Sequence, residues 1–564
     1  VRAAWQTDNA VSSSLDNMGD SMDSVGVVLA MLLAVIGSGY LVRMLPFGVP
    51  LPLVQIGLGA VISGVFGHGV ILDPEIFFLL FLPPLLFLDG WRIPKVGLFR
   101  DKGTILELAL GLVVFTVVGA GFLIHWLVPA IPLPVAFALA AIVAPTDPVA
   151  VSAITARIHV PHRLMHILEG ESLLNDASGL VCFRFAVAAA MTGAFSLASA
   201  SVTFLWVALA GIACGVAITV AVSFVQRVVG QRFGEEPGSP ILVNLLLPFG
   251  AYLAAEHLEA SGILAAVAAG VTMSYVELSG RALATTRIRR TVVWDTVQFS
   301  LNGVMFVLLG EQLPEIIARA LRYAGPEAAL TPWTLFGIAL LISLALILLR
   351  LLWVWVSLRL TLLNARLQGQ KVYKPNFRLV LATSLAGVRG AITMAGVLTL
   401  PLALPSGAAF PARDLVIFFA SAVIIVSLIV ASVGLPRVLR GLEVPEETTE
   451  AAQEDLARHN AAVAAIAAIE RVAHTHLGES ENADIHASAV DHVRGVYEHR
   501  IGDTTGANEP SRIRIAEQAE REYRLAALQA ERQAILELTH QRKVSDDIAR
   551  KLLREIDLVE ARYR

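Results

Sequence analysis

Apolar runs of about twenty residues, parted by short polar stretches, recur from residue 25 to residue 436. A helix of that length crosses a ~30 Å hydrocarbon layer, so the pattern predicts about thirteen membrane spans. They cover 25–42, 49–66, 75–90, 105–128, 133–156, 164–192, 199–226, 239–257, 260–277, 293–315, 333–358, 377–402 and 414–436. Two of them are interrupted. Pro145-Thr146-Asp147-Pro148 breaks the fifth, and Gly387-Val388-Arg389-Gly390 breaks the twelfth. Irregular backbone at membrane depth survives only where it is buried in protein or lines a cavity.

The two breaks lie seven spans apart, so the chain divides as six, one and six spans, the form of a transporter built from two inverted repeats. Half-helix ends inside the membrane present unpaired N–H and C=O groups. Asp147 is therefore expected near positive N-terminal ends and Arg389 near negative C-terminal ends. From Pro445 onward the pattern is polar and helical, with alanine-rich 448–477, then 484–500, 512–541 and 545–562, and a linker over 502–510. The predicted organisation is an extracytoplasmic segment (1–24), a membrane domain (25–440) and a cytoplasmic helical domain for regulation or assembly (441–564).

Charge sets the orientation. Loops predicted inside carry Arg43; Arg92, Lys95, Arg100 and Lys102; Arg157 and Arg163; Arg227 and Arg232; Arg281, Arg287, Arg289 and Arg290; and Arg359, Arg366, Lys371, Lys374 and Arg378. The outer ones carry only Arg2, Arg319, Arg322 and Arg413. Basic residues collect on the cytoplasmic side, so the N-terminus is expected outside, the C-terminus in the cytoplasm, and the protein in the cell's inner (plasma) membrane. Residues 1–24 lack the basic start of a signal peptide, and the first span is expected to act as the targeting signal.

Composition agrees with a multi-pass membrane protein: of 564 residues, 56% are hydrophobic and 16% charged, with a mean hydropathy of +0.68. A net charge of −4 gives no basic footprint for nucleic acid. Cys182 and Cys214 both lie in apolar segments and make no disulfide framework. Seven of the thirteen histidines fall in the tail. They read either as a pH sensor or as solvated helix residues, and truncation after Val444 with an unchanged pH profile would exclude the sensor.

The chemistry lies in the sixth span, Glu169-Gly170-Glu171-Ser172-Leu173-Leu174-Asn175-Asp176. Residues four apart share a helix face, so Glu171 stacks with Asn175 and Ser172 with Asp176 in one oxygen-rich patch. Carboxylate, hydroxyl and carbonyl oxygens suit hard monovalent cations, and Thr146 of the neighbouring break, with carbonyls freed by Pro145 and Pro148, completes such a shell. A carboxylate in a partly dry cavity holds either a proton or a cation. If Asp176 must lose its proton before a cation binds, exchange follows from competition at one site.

Leu82-Pro83-Pro84-Leu85-Leu86-Phe87, Ala144-Pro145-Thr146-Asp147-Pro148-Val149-Ala150-Val151, Glu171-Ser172-Leu173-Leu174-Asn175-Asp176 and Gly387-Val388-Arg389-Gly390-Ala391 occur in this order. Together they resemble the monovalent cation:proton antiporter superfamily, in its bacterial sodium/proton exchanger branch with an Asn-Asp motif. The resemblance implies an all-α fold with crossed broken helices, a homodimer in lipid, and an elevator-like motion of a six-helix core. It implies no cofactor: the ligands are the transported Na⁺, or Li⁺ or K⁺, and H⁺. Asp176 is then the ion- and proton-binding carboxylate, with Glu171, Ser172 and the Thr146 carbonyl coordinating, Asp147 acting through water, and Asn175 securing the crossing helices. A neutral amide at Asn175 implies one proton per cation.

Relatives often place a carboxylate directly after the Pro-Pro-Leu-Leu-Phe run, where this chain has Leu88 followed by Asp89. An Asp89–Arg389 pair is one reading of that shift. Arg184 reads as a structural partner for a core carboxylate or as a side chain that snorkels to an interface, and Arg350, near a span end, as a snorkelling side chain. Glu107, Asp295 and Glu311 read as structural or funnel charges. Two further classes compete: an intramembrane aspartyl protease with Asp147 and Asp176 as its dyad, which lacks the expected Gly-X-Gly-Asp context, and a non-transporting membrane sensor.

Overall fold

The computed structural model describes residues 28–45, 49–66, 74–92, 102–155, 162–193, 197–234, 238–278, 284–322, 331–367, 377–440, 448–477, 488–498, 510–541 and 546–563, with the single positions 26, 160 and 543. Two compact units make up the chain, Val1–Glu443 and Val444–Arg564.

Helices account for nearly all of the described residues of the first unit, because every backbone polar group in lipid needs a partner within its own segment. In chain order they are α1 (Val28–Met44), α2 (Leu51–Phe66), α3 (Pro74–Arg92), α4 (Glu107–Leu127), α5 (Leu133–Val143), α6 (Pro148–Thr155), α7 (His162–Thr192) and α8 (Leu197–Phe233). They continue as α9 (Ser239–His257), α10 (Gly262–Leu278), α11 (Ala284–Arg322), α12 (Pro332–Leu367), α13 (Phe377–Leu385), α14 (Ala391–Leu398) and α15 (Arg413–Leu439). Seven described helices are long and apolar enough to cross a membrane, and shorter apolar helices accompany them. Among the described residues the one β feature is an isolated bridge, Ala403 to Ala409.

Two groups of helices can be told apart, joined where α3 packs on α14 and α11 on α15. In the first, α4, α5, α7, α12, α13, α14 and α15 surround the two chain breaks. In the second, α2 packs on α11, and α10 packs on both α3 and α8. Lipid is as apolar as leucine, so helix association relies on close packing at small residues. A Cβ added at Gly310 of α11 would lie 1.9 Å from the Ile56 carbonyl oxygen of α2, and one at Gly59 would lie 1.9 Å from that of Val307. Gly270 of α10 approaches the Phe87 carbonyl of α3 in the same way, a Cβ there falling 2.1 Å from it. Gly310→Ala should therefore cost about 1–3 kcal/mol by forcing two backbones apart. Gly57→Ala, with no atom within 4 Å of the added carbon, should leave stability unchanged or slightly raised. Thermal unfolding of the purified protein in detergent reads both.

α7 is anchored to its neighbour at the π-helical turn Glu107–Gly111, where Ser178 Oγ donates to the Ala109 carbonyl at 2.7 Å. α11 runs well past the apolar stretch predicted over 293–315, its 39 residues spanning about 58 Å. Its charged first turns carry Arg287, Arg289 and Arg290. Asp295 pairs there with Arg92 of α3. Cys182 and Cys214 are free thiols.

The second unit contains α16 (Thr448–Leu477), a helix over 488–498, α17 (Pro510–His540) and α18 (Asp546–Tyr563). The last two form a hairpin in which Arg532 bridges Asp557, at 2.6 Å, and Glu560.

Candidate functional site

The breaks follow from their residues. Pro145 has no N–H to bond the Ala141 carbonyl and Pro148 none to bond that of Ala144, so α5 ends at Val143, with Ala144 still in the helical region, and α6 starts afresh at Pro148. On the other strand Gly387 and Gly390 interrupt the chain between α13 and α14. The two unwound segments touch: the Asp147 amide donates to the Val388 carbonyl at 2.8 Å. Gly390 is needed at this crossing, since a Cβ there would sit 1.7 Å from Asp147 Oδ2. Asp147 Oδ1 in turn accepts from the Ala150 amide at 3.3 Å, capping the start of α6.

Two buried arginines meet the orphan carbonyls. Arg389 Nε donates to the Val143 carbonyl at 2.8 Å and its Nη1 donates to that of Gly387, while its own amide is held by Ser427 Oγ of α15 at 3.1 Å. Arg350 Nε donates to the Thr383 carbonyl of α13 at 3.0 Å. Positive charge at helix C-terminal ends is the favourable arrangement.

α7 supplies the side chains that reach the first break. Ser172 Oγ donates to the Thr146 carbonyl at 2.8 Å, and Asn175 Nδ2 donates to Thr146 Oγ1 at 3.0 Å. Glu171 reaches the break as well, its Oε1 accepting from Thr146 Oγ1 and Asn175 Nδ2 at 3.4 Å each, but it is held chiefly from another helix. Its Oε1 and Oε2 accept from Arg350 Nη1 and Nη2 at 2.5 and 2.8 Å, with side-chain exposures of 0% for Glu171 and 3% for Arg350. A bidentate pair of this kind occupies both carboxylate oxygens.

Beside the crossing lies a cavity with about 20 Å³ of room for the centre of a water-sized body. Asp89, Thr146, Asp147, Ser172, Asp176 and Thr393 line it, together with Pro145, Pro148, Gly390 and Ile392. That volume holds a single water or a small cation. Asp176 is 3% exposed. The lining side chains offer oxygen and no basic group, so the cavity is built for a cation rather than an anion.

Several expected placements change. Glu171 is absent from the cavity lining, because Arg350 holds it. Arg350 does not snorkel: at 2% exposure it is a buried ion-pair partner, since the carboxylate and the Thr383 carbonyl both await it in the interior. Arg184 meets no core carboxylate but pairs with Glu256 at 3.1 Å, at exposures of 45% and 35%, where the C-terminal end of α9 comes within reach. Arg389 is turned to the Val143 and Gly387 carbonyls and not to Asp89, which faces the cavity. Thr393 and Ser427 gave no sequence signal, because isolated hydroxyls in apolar spans usually bond their own helix.

Residues 28–441 match the family model described as sodium/hydrogen exchanger, transmembrane. The chain belongs to this sodium/hydrogen exchanger family. An uncharacterized Na⁺/H⁺ exchanger, YjcE, of Escherichia coli K12 is 42% identical to the exchanger over 96% of this chain and 99% of its own length. A sodium, potassium, lithium and rubidium/H⁺ antiporter of Bacillus subtilis is also 42% identical, over 74% of this chain and 61% of its own length. The sodium proton antiporter MjNhaP1 of Methanocaldococcus jannaschii shares the fold with a TM-score of 0.56 at 18% identity, covering 74% of this chain and 99% of that one. The exchanger is thus a multi-pass membrane protein of the cation/proton antiporter class, a family of transporters rather than enzymes.

Proposed function

We propose that the exchanger moves Na⁺ against H⁺ by alternating access, with both ligands competing for Asp176. The observation that carries this reading is the oxygen-lined cavity at the helix crossing, with Asp176, Ser172 and Thr146 on its walls. Asp147, spent partly on capping α6, acts on the cation through water. Asn175 ties α7 to the break through Thr146. Cation and proton each neutralise Asp176 once, and Glu171 is already balanced by Arg350, so one proton leaves for each cation that enters. Li⁺ and K⁺ use the same oxygen chemistry and are the alternative substrates.

The protein works in the plasma membrane as a homodimer, with its N-terminus outside and its C-terminus in the cytoplasm, on the basis of the basic loops. Its thirteen spans form two inverted repeats. In support, Gly59 and Gly270 both stand eight residues into their helices, α2 and α10, and both make the close crossing.

Reconstitution into liposomes carrying a pH dye tests the reading. Na⁺ should dissipate a pH gradient, and Li⁺ and K⁺ measured separately give the selectivity. A potassium ionophore clamp should leave the rate unchanged, and a rate that follows the clamped potential refutes one-for-one exchange.

A further inference from the structure

Asp89 occupies a position that the competition at Asp176 does not use. It lines the cavity with Asp147 and Asp176, on a helix that packs chiefly against α10 and also touches α14 and α7. The residues around it on α3 are fastened to α10 and α11. Phe87 stacks on Trp294 at 5.3 Å, Trp91 Nε1 donates to Glu277 Oε2 at 2.7 Å, and Arg290 lies over the Trp91 ring at 5.4 Å while also bonding Glu277. Gly90 lets the helices close, a Cβ there falling 2.6 Å from the Val267 carbonyl oxygen.

Helix geometry then decides where the carboxylate points. Each residue turns the chain by about 100°, so Asp89 lies about 200° around α3 from Phe87, away from the clamped face. Leu88, one residue earlier, is 1% exposed within the apolar cluster of α3, α9, α10 and α11. The apolar side chain thus fills that cluster while the carboxylate next to it faces the cavity. The charged groups that act on Asp89 are Asp147, Arg92 and Glu169, with Asp176 across the cavity. Arg92, one turn further along, is engaged by Asp295 and by Gln298 at 2.6 Å.

We propose that Asp89 is a cation-recruiting carboxylate, fixed on the α3–α10–α11 wall, that serves the cavity from the cytoplasmic side only. This rests on the cation site proposed above. Asp89 stands three residues before Arg92, where α3 leaves the membrane into the basic, cytoplasmic loop that carries Lys95 and Arg100. A wall-bound carboxylate there raises the local concentration of cations entering from that side. It makes no demand on the proton count, because it is neither the competing group nor part of the crossing.

The test uses the full chain in proteoliposomes of known orientation, with the Na⁺ dependence measured from each face. Asp89→Asn should raise the cytoplasmic-side KM for Na⁺ about tenfold, with the maximal rate kept and the outer-side KM unchanged. Asp89→Ser should behave the same way, and Asp89→Glu should restore the wild-type value. Raising ionic strength with choline chloride should shrink the difference between wild type and Asp89→Asn, because screening shortens the reach of the charge. An equal KM rise from both faces, or a lower maximal rate with both KM values intact, overturns the assignment and makes Asp89 structural. Asp176→Asn in the same vesicles separates the two failures: if it exchanges Na⁺, the cation site itself is wrong, whatever Asp89 does.

Discussion

Asp176→Asn is expected to reduce Na⁺, Li⁺ and K⁺ exchange to the level of protein-free liposomes. The amide keeps the shape of the side chain but can neither release a proton nor carry the charge that holds a cation, so both half-reactions are lost together. A pH dye trapped in the vesicles reads the loss directly. Asp176→Glu keeps the chemistry and lengthens the arm in a cavity with about 20 Å³ of room, so it should exchange with a weakened apparent affinity. In the wild type the competition fixes the sign of the pH dependence. As pH falls, protons occupy Asp176 more often and the apparent KM for the cation must rise. As pH rises, KM falls to a plateau and the rate becomes limited by the return of the protonated form. Robust exchange by Asp176→Asn, or a KM independent of pH, would end the single-site account.

The second large effect belongs to Arg350. Its pairing with Glu171 is fully buried, and the guanidinium also serves the Thr383 carbonyl at the end of α13. Arg350→Ala leaves a carboxylate stranded in the interior and a helix end uncapped, at a cost of about 3–5 kcal/mol. The midpoint of thermal unfolding in detergent should drop accordingly. Arg350→Met combined with Glu171→Gln removes both charges, and it should recover most of the loss even though each single change is harmful. If the double variant is as unstable as Arg350→Ala, the penalty comes from packing around Gly387, where the arginine stem fills the space beside the backbone.

Much of this molecule was legible before any coordinates, for reasons that differ from residue to residue. Pro145, Pro148, Gly387 and Gly390 act on their own backbone, so the breaks they cause at α5–α6 and α13–α14 could be read locally. Ser172, Asn175 and Asp176 share a helix, and helical spacing alone groups them. Arg389 could be placed near carbonyl ends because it sits inside a break, and it does bond the Val143 and Gly387 carbonyls. Arg350 was misread because it is 179 residues from Glu171, and a single arginine near a span end carries no mark of its partner. The pairing of Glu171 was equally hidden, since four-residue spacing puts it near the ligands but says nothing about a guanidinium arriving from another helix. A pairing of Asp89 with Arg389 was one open reading, and the neighbours of α3 turn Asp89 toward the cavity instead.

The chain by itself determined that this is a multi-pass membrane protein with two broken spans and an oxygen-bearing helix beside one of them. Hydrophobic length, proline and glycine exert their effects within a few residues, and the cost of charge in lipid makes every exception visible. Only the tertiary structure decided which carboxylates face the cavity and which are neutralised. That depends on which helix faces meet, and the meeting is set by close backbone approaches such as Gly310 on Ile56, Gly270 on Phe87 and Gly390 on Asp147, between segments far apart in the chain.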